Sequence, residues 1–88
     1  MITGVAIKNE NITISLPKPN RHSDCFAYAQ KLGIDLNQSG LGAKADWQGF
    51  VTHTGKYLNR AETAKYLKRT KQETVVKIGS IAISEDLW

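Results

Sequence analysis

Residues 2–16, ITGVAIKNENITISL, decide the fold class. Residues 11–16 alternate strictly: Ile12, Ile14 and Leu16 are apolar, and Asn11, Thr13 and Ser15 are polar. That period of two marks a strand with one face buried. Residues 2–7 carry Ile2, Val5, Ala6 and Ile7 and read as its partner. Lys8-Asn9-Glu10 lies between them and suits a tight turn, because Asn tolerates positive φ. Pro17 and Pro19 then end the sheet, since neither can donate to a ladder.

Outward from this hairpin the period changes. Ser23 or Asp24 is placed to cap a helix running to about residue 32. Its apolar stripe is Cys25, Phe26, Ala29 and Leu32, and Gly33 fits the left-handed position that stops it. Residues 34–48 read as a loop around Gly40 and Gly42, long for so small a domain. Residues 49–53 and 56–58 read as a second hairpin about Thr54-Gly55. Asn59 with Glu62 three residues on is a capping-box signal for a helix over 59–70. Ala61, Ala64 and Leu67 mark one face of that helix, and Lys65, Lys68, Arg69 and Gln72 another. Residues 74–78 and 80–83 read as strand, interrupted at Gly79. The predicted order is β-β-α-β-β-α-β, an α+β two-layer domain. It would have an antiparallel or mixed sheet with two helices on one face.

Composition bounds the rest. Eighty-eight residues, 41% of them hydrophobic and 23% charged, make a single domain (residues 1–88). They exclude a collagen-like chain, a coiled coil and a disulfide scaffold. With one cysteine, Cys25, no internal disulfide is possible and a cysteine-based zinc site lacks ligands. No metal spacing links His22, His53 and the acidic residues, and no cofactor is expected. No signal peptide and no apolar run near the ~20 residues that span a bilayer is visible, so a cytoplasmic protein without a membrane partner is expected. A core this small makes a homo-oligomer the expected state. The net charge of +4 favours an anionic partner.

Arg21-His22 precedes a helix start, where a guanidinium and free N–H groups together suit a phosphate. The competing structural reading pairs Arg21 with Asp24 and leaves His22 on the surface. The basic face of the 59–70 helix could meet a nucleic acid backbone or a nucleotide phosphate, but it lacks the base-reading residues of a helix-turn-helix, so nucleic acid is not the favoured partner. Trp47 and Phe50 flank the Gly-containing loop and offer stacking surfaces. Trp88 ends the chain after Glu85 and Asp86, whose carboxylates can accept from ribose hydroxyls. No nucleophile–base pair stands out, and Gly40-x-Gly42 alone is no phosphate loop.

Arg21-His22, Gly49-Phe50, Gly55-Lys56-Tyr57, Arg60, Ala64, Gln72 and the terminal Ser84-Glu85-Asp86-Leu87-Trp88, in this order, resemble a widespread group of small phage and prophage proteins. In that group a Pro-x-x-Arg-His segment follows a hairpin, a Gly-Phe…Gly-Arg-Phe…Arg-x-x-Ala block leads into a helix, and the chain ends close to Ser-Glu-Asp-Leu-Trp. Here Lys56-Tyr57 stands in place of Arg-Phe. The resemblance implies a phage origin, and small phage proteins of this size often disarm host defence. The expected function is to bind and sequester a nucleotide-derived immune signal in the host cytoplasm without catalysis. Arg21, His22, Trp47, Phe50, Arg60, Glu85, Asp86 and Trp88 are the expected ligand-binding residues. The alternatives are a nucleotide-cleaving anti-defence enzyme, with His22, Glu85 or Asp86 as acid or base, and an inhibitor that binds a host protein or nucleic acid.

Overall fold

In the computed structural model, which describes residues 1–72, 74 and 87–88, the first hairpin pairs β1 (Ile2–Lys8) with β2 (Thr13–Pro17). The turn is tighter in its bonding than its sequence required. Asn9 Oδ1 accepts from the N–H groups of Asn11 and Ile12 at 2.7 and 2.8 Å, and Asn9 N–H donates to Ile12 O at 3.0 Å. Asn11 and Ile12 are consumed in this turn, so β2 starts two residues later than the alternation indicated.

β3 (Gln48–Thr52) and β4 (Tyr57–Asn59) form the second hairpin, as expected to within a residue. The four strands make one antiparallel sheet in the order β2-β1-β3-β4. Leu16, Val5, Phe50 and Leu58 stand opposite one another across it, and Ile14 and Ile7 form the neighbouring pair. Directly opposed residues share a face, so this register gathers the large apolar side chains on one side.

The same buried cluster holds Cys25 and Ala29 of α1 (His22–Lys31), Ala64 and Leu67 of α3 (Arg60–Thr70), and Leu41 and Leu87. The domain is therefore α+β. Phe50, fully buried at the centre, contributes about 2–3 kcal/mol by its removal from water. Gly49 beside it is obligatory: a Cβ there would overlap the Leu58 carbonyl oxygen and the Tyr57 ring.

Two features depart from expectation. Residues 34–48 are not a plain loop. Asp35 Oδ1 accepts from Asn37 and Gln38 and caps a single turn, α2 (Leu36–Ser39), and a 3-10 turn (Ala45–Trp47) leads directly into β3. In α1, the cap is Arg21 rather than Ser23 or Asp24. The strand expected over residues 74–83 lies outside the described residues, apart from Thr74.

Candidate functional site

α1 opens without a side-chain cap on Arg21. Asp24, in the first turn, serves instead from within the helix. Its Oδ2 accepts from Arg21 N–H at 2.7 Å, and its own N–H donates to Arg21 O at 3.0 Å. The Asp24 carboxylate is thus engaged by the Arg21 main chain. The Arg21 guanidinium is left with Nη1 buried and without a hydrogen-bond partner.

His22, the first helical residue, is buried, not a surface residue. Its Nε2 lies 2.7 Å from Gly49 O. A carbonyl only accepts, so Nε2 carries the proton. The imidazole meets Phe50 edge-on, with centroids 5.2 Å apart at 78°. Phe50 in turn meets Trp88 at 6.0 Å and 86°. Trp88 Nε1–H donates to Asn20 O at 2.8 Å, which brings the last residue of the chain beside the residue before Arg21. His22, Phe50 and Trp88 therefore form one edge-to-face row, a favoured aromatic geometry. Trp88 also lines a cleft of about 580 Å³, with Met1, Lys18, Thr70, Gln72 and Leu87.

Arg60 opens α3 one residue after the Asn59 cap. Its Nη2 donates to Gln48 Oε1 at 2.6 Å, and Gln48 Nε2 donates on to Gly42 O at 2.9 Å. Arg60 Nε is buried and unpartnered. Gln48 and Gly49 are consecutive, so β3 anchors Arg60 and His22 by adjacent residues. Trp47 has a different neighbour: the Lys44 ammonium lies 4.6 Å from its ring centroid. Glu85 and Asp86 lie outside the described residues. The structure thus gathers His22, Phe50 and Trp88 beside the main chain that leads into Arg21, ties Arg60 to Gln48, the residue before His22's partner Gly49, and gives Trp47 to Lys44.

Two further titratable groups are chemically quiet. Burial, then the nearby Asp24 charge, push the Cys25 thiol up to about 11 against a smaller opposing hydrogen bond from the Leu16 backbone, so it is a neutral thiol at pH 7. Burial, then Glu62 and Asp46, hold the Tyr57 phenol well above its usual range, with Arg60 opposing. Among the described residues no group of three His, Cys, Asp or Glu side chains is arranged to hold a metal ion. No described helix is long and apolar enough to cross a membrane.

Sequence reasoning left Gln72 without a function of its own. Its side-chain amide clasps the backbone of Ile2, accepting from Ile2 N–H at 2.7 Å and donating to Ile2 O at 3.1 Å. Lys56 was also passed over as a binding residue, although it faces α3 across a groove. Nothing in the spacing of either residue points to its partner.

Comparison with curated proteins and with solved structures gives no match. A family model described as phage T4 y16D protein matches residues 1–88. From its first residue to its last, the chain belongs to the phage T4 y16D protein family.

Proposed function

We propose that this phage-family protein binds a nucleotide-derived immune signal of the infected bacterium and sequesters it intact. The observation that carries the reading is the pair of buried guanidinium nitrogens, Arg21 Nη1 and Arg60 Nε, that lack partners at the starts of the two long helices. A buried donor left unpaired costs about 1–3 kcal/mol, more when charged, and a phosphate oxygen removes that cost. Helix N-termini add a favourable potential for an anion. Of the His22–Phe50–Trp88 row, half-buried Trp88 is the ring with surface to offer a base, while buried His22 and Phe50 hold it from behind, and Glu85 and Asp86 are assigned to ribose hydroxyls. Trp47 is assigned to stacking on the ligand's base.

Sequestration is favoured over cleavage by the state of two described candidates for chemistry, His22 and Cys25. The His22 Nε2 proton is given to a backbone carbonyl, and the Cys25 thiol stays protonated. In this reading the binding form is a homo-oligomer in the host cytoplasm, and pockets shared between copies slow ligand release.

The test is recovery of the ligand. The protein is incubated with cyclic oligonucleotides and with cyclised ADP-ribose, its melting temperature is measured, and the heated sample is analysed. A sequestering protein shows a raised melting temperature with one ligand and returns that ligand unaltered in stoichiometric amount. Altered nucleotide released with turnover, or no shift with any of them, rejects the reading. Arg21→Ala is expected to weaken binding by about 1.5–3 kcal/mol with little loss of folding.

A further inference from the structure

A groove of about 370 Å³ runs between the β3–β4 hairpin and α3, and none of its lining residues belongs to α1. Lys56, Lys65 and Arg69 line it, with Leu58, Tyr66 and Glu62. We propose that this groove is a second binding site, separate from the start of α1, for a phosphate-bearing ligand of nucleotide size.

Three observations support the assignment. The first is the convergence of cations from two walls. Lys65 and Arg69 are one turn apart on α3 and so project from the same edge of the helix. Lys56 comes from the opposite wall, where the hairpin fixes it: Thr52 N–H donates to Lys56 O at 3.0 Å, and Lys56 N–H donates to Thr52 Oγ1 at 3.2 Å. Like charges one turn apart repel, and low-dielectric walls concentrate their field, so an anion between them is favoured.

The second is that the counter-charge is already committed. Among the described residues lining the groove, Glu62 is the only carboxylate. Its Oε1 accepts from Asn59 N–H at 2.9 Å, so it is held at the positive end of α3 as half of the capping box. The third is shape. Leu58 and the Tyr66 ring give the groove apolar surface, and the Arg69 guanidinium carbon lies 5.6 Å from the Tyr66 centroid. Small-molecule sites occupy roughly 300–1,000 Å³, and this groove is at the small end, the size of one nucleotide. An aromatic face beside cations is also how single nucleotides of a strand are held. The phosphate thus has two possible sources, a free nucleotide or a nucleic acid strand.

The experiment titrates the full chain with pyrophosphate, ADP and a ten-residue oligothymidylate by calorimetry. It is run in the Arg21→Ala background, which weakens the site at α1, and each groove variant is compared with that parent so that the difference between them reports the groove. Lys65 and Arg69 are both exposed, and the Lys65→Gln/Arg69→Gln variant is expected to melt as its parent does. Its affinity for pyrophosphate and ADP is expected to fall by roughly 30-fold or more, since two charge-assisted contacts are removed. Lys56→Gln, on the other wall, gives a smaller loss in the same direction. ADP binding without oligothymidylate binding assigns the groove to a free nucleotide. Tighter oligothymidylate binding that weakens steeply with salt assigns it to a strand. Absence of binding by all three probes overturns the proposal, as does unchanged affinity in both variants. Because Lys56, Lys65 and Arg69 have no place in the site at α1, a loss in their variants reads the groove whether or not that site binds.

Discussion

α3 begins with a closed local circuit: Asn59 Oδ1 accepts from Glu62 N–H at 2.8 Å, and Glu62 Oε1 accepts from Asn59 N–H at 2.9 Å. α1 begins with Arg21, which offers no side-chain oxygen; Asp24 Oδ2 closes half of such a circuit by accepting from Arg21 N–H at 2.7 Å, and further support comes from elsewhere in the chain. His22 reaches Gly49, 27 residues away, and Trp88 reaches Asn20 from 68 residues away. The first helix start is written within four consecutive residues and is complete when the helix forms. The second is complete only when the sheet and the last residue of the chain are in place. Both carry an arginine with a buried, unpartnered nitrogen, yet only one has a cap suited to stability. The difference separates a helix start closed by its own residues from one that leans on the sheet and on residue 88.

The largest expected effect strikes the assembled start. Phe50→Ala removes the ring between His22 and Trp88 and leaves a cavity in the core, and is expected to cost about 3–5 kcal/mol in chemical denaturation. A loss below about 1 kcal/mol would mean that the row does not hold the start of α1 together.

Alkaline titration probes the same helix. The Cys25 thiol is pushed up from 9.0 to about 11, so the folded chain holds this proton to higher pH than the unfolded chain does. The resulting stability is whole below pH 9.0 and is lost as the pH rises towards about 11. Tyr57, also raised, acts with the same sign at higher pH. Denaturation on either side of that window, compared between the wild type and Cys25→Ala, is expected to show a shallower fall in the variant. Identical slopes would show that the thiol is not shielded by the folded state.

The smallest effects sharpen the contrast most directly, because they have opposite signs. Asn59→Ala opens the circuit at α3 and is expected to cost about 1 kcal/mol. Arg21→Asn supplies α1 with the cap it lacks and is expected to raise stability by about 0.5–1 kcal/mol while weakening anion binding. Should Arg21→Asn destabilise the protein instead, Arg21 is a structural residue and the contrast between the two starts collapses.

What was legible in the sequence follows the same division. The alternation in residues 11–16, the Asn59–Glu62 pair and Thr54-Gly55 are local signals, and both hairpins and α3 form from them, with β2 starting two residues late because Asn11 and Ile12 are used in the turn. The cap of α1 was misplaced because Ser23 and Asp24 are strong capping types, whereas Asp24 acts from inside the helix on Arg21. The turn of α2 was missed because Asp35 caps too short a run to show a helical period. Arg21 and His22 were found as a helix-start pair, but the burial of His22 was not, since it depends on the β1–β3 register and on Gly49. The clasp of Gln72 on Ile2 and the facing of Lys56 with α3 join residues brought together only by tertiary packing. No periodicity encodes such pairs.

The Gln72 amide has a consequence of its own. β2 ends at Pro17, opposite Gly4, so the ladder beside β1 has run out of strand by the time it reaches Ile2. One side chain then fills the vacant rung, donating and accepting as a main-chain unit would. The Ile2 amide proton is guarded by a residue just beyond α3. The rate at which that single proton exchanges for deuterium therefore clocks how often the far end of the helix lifts from the sheet.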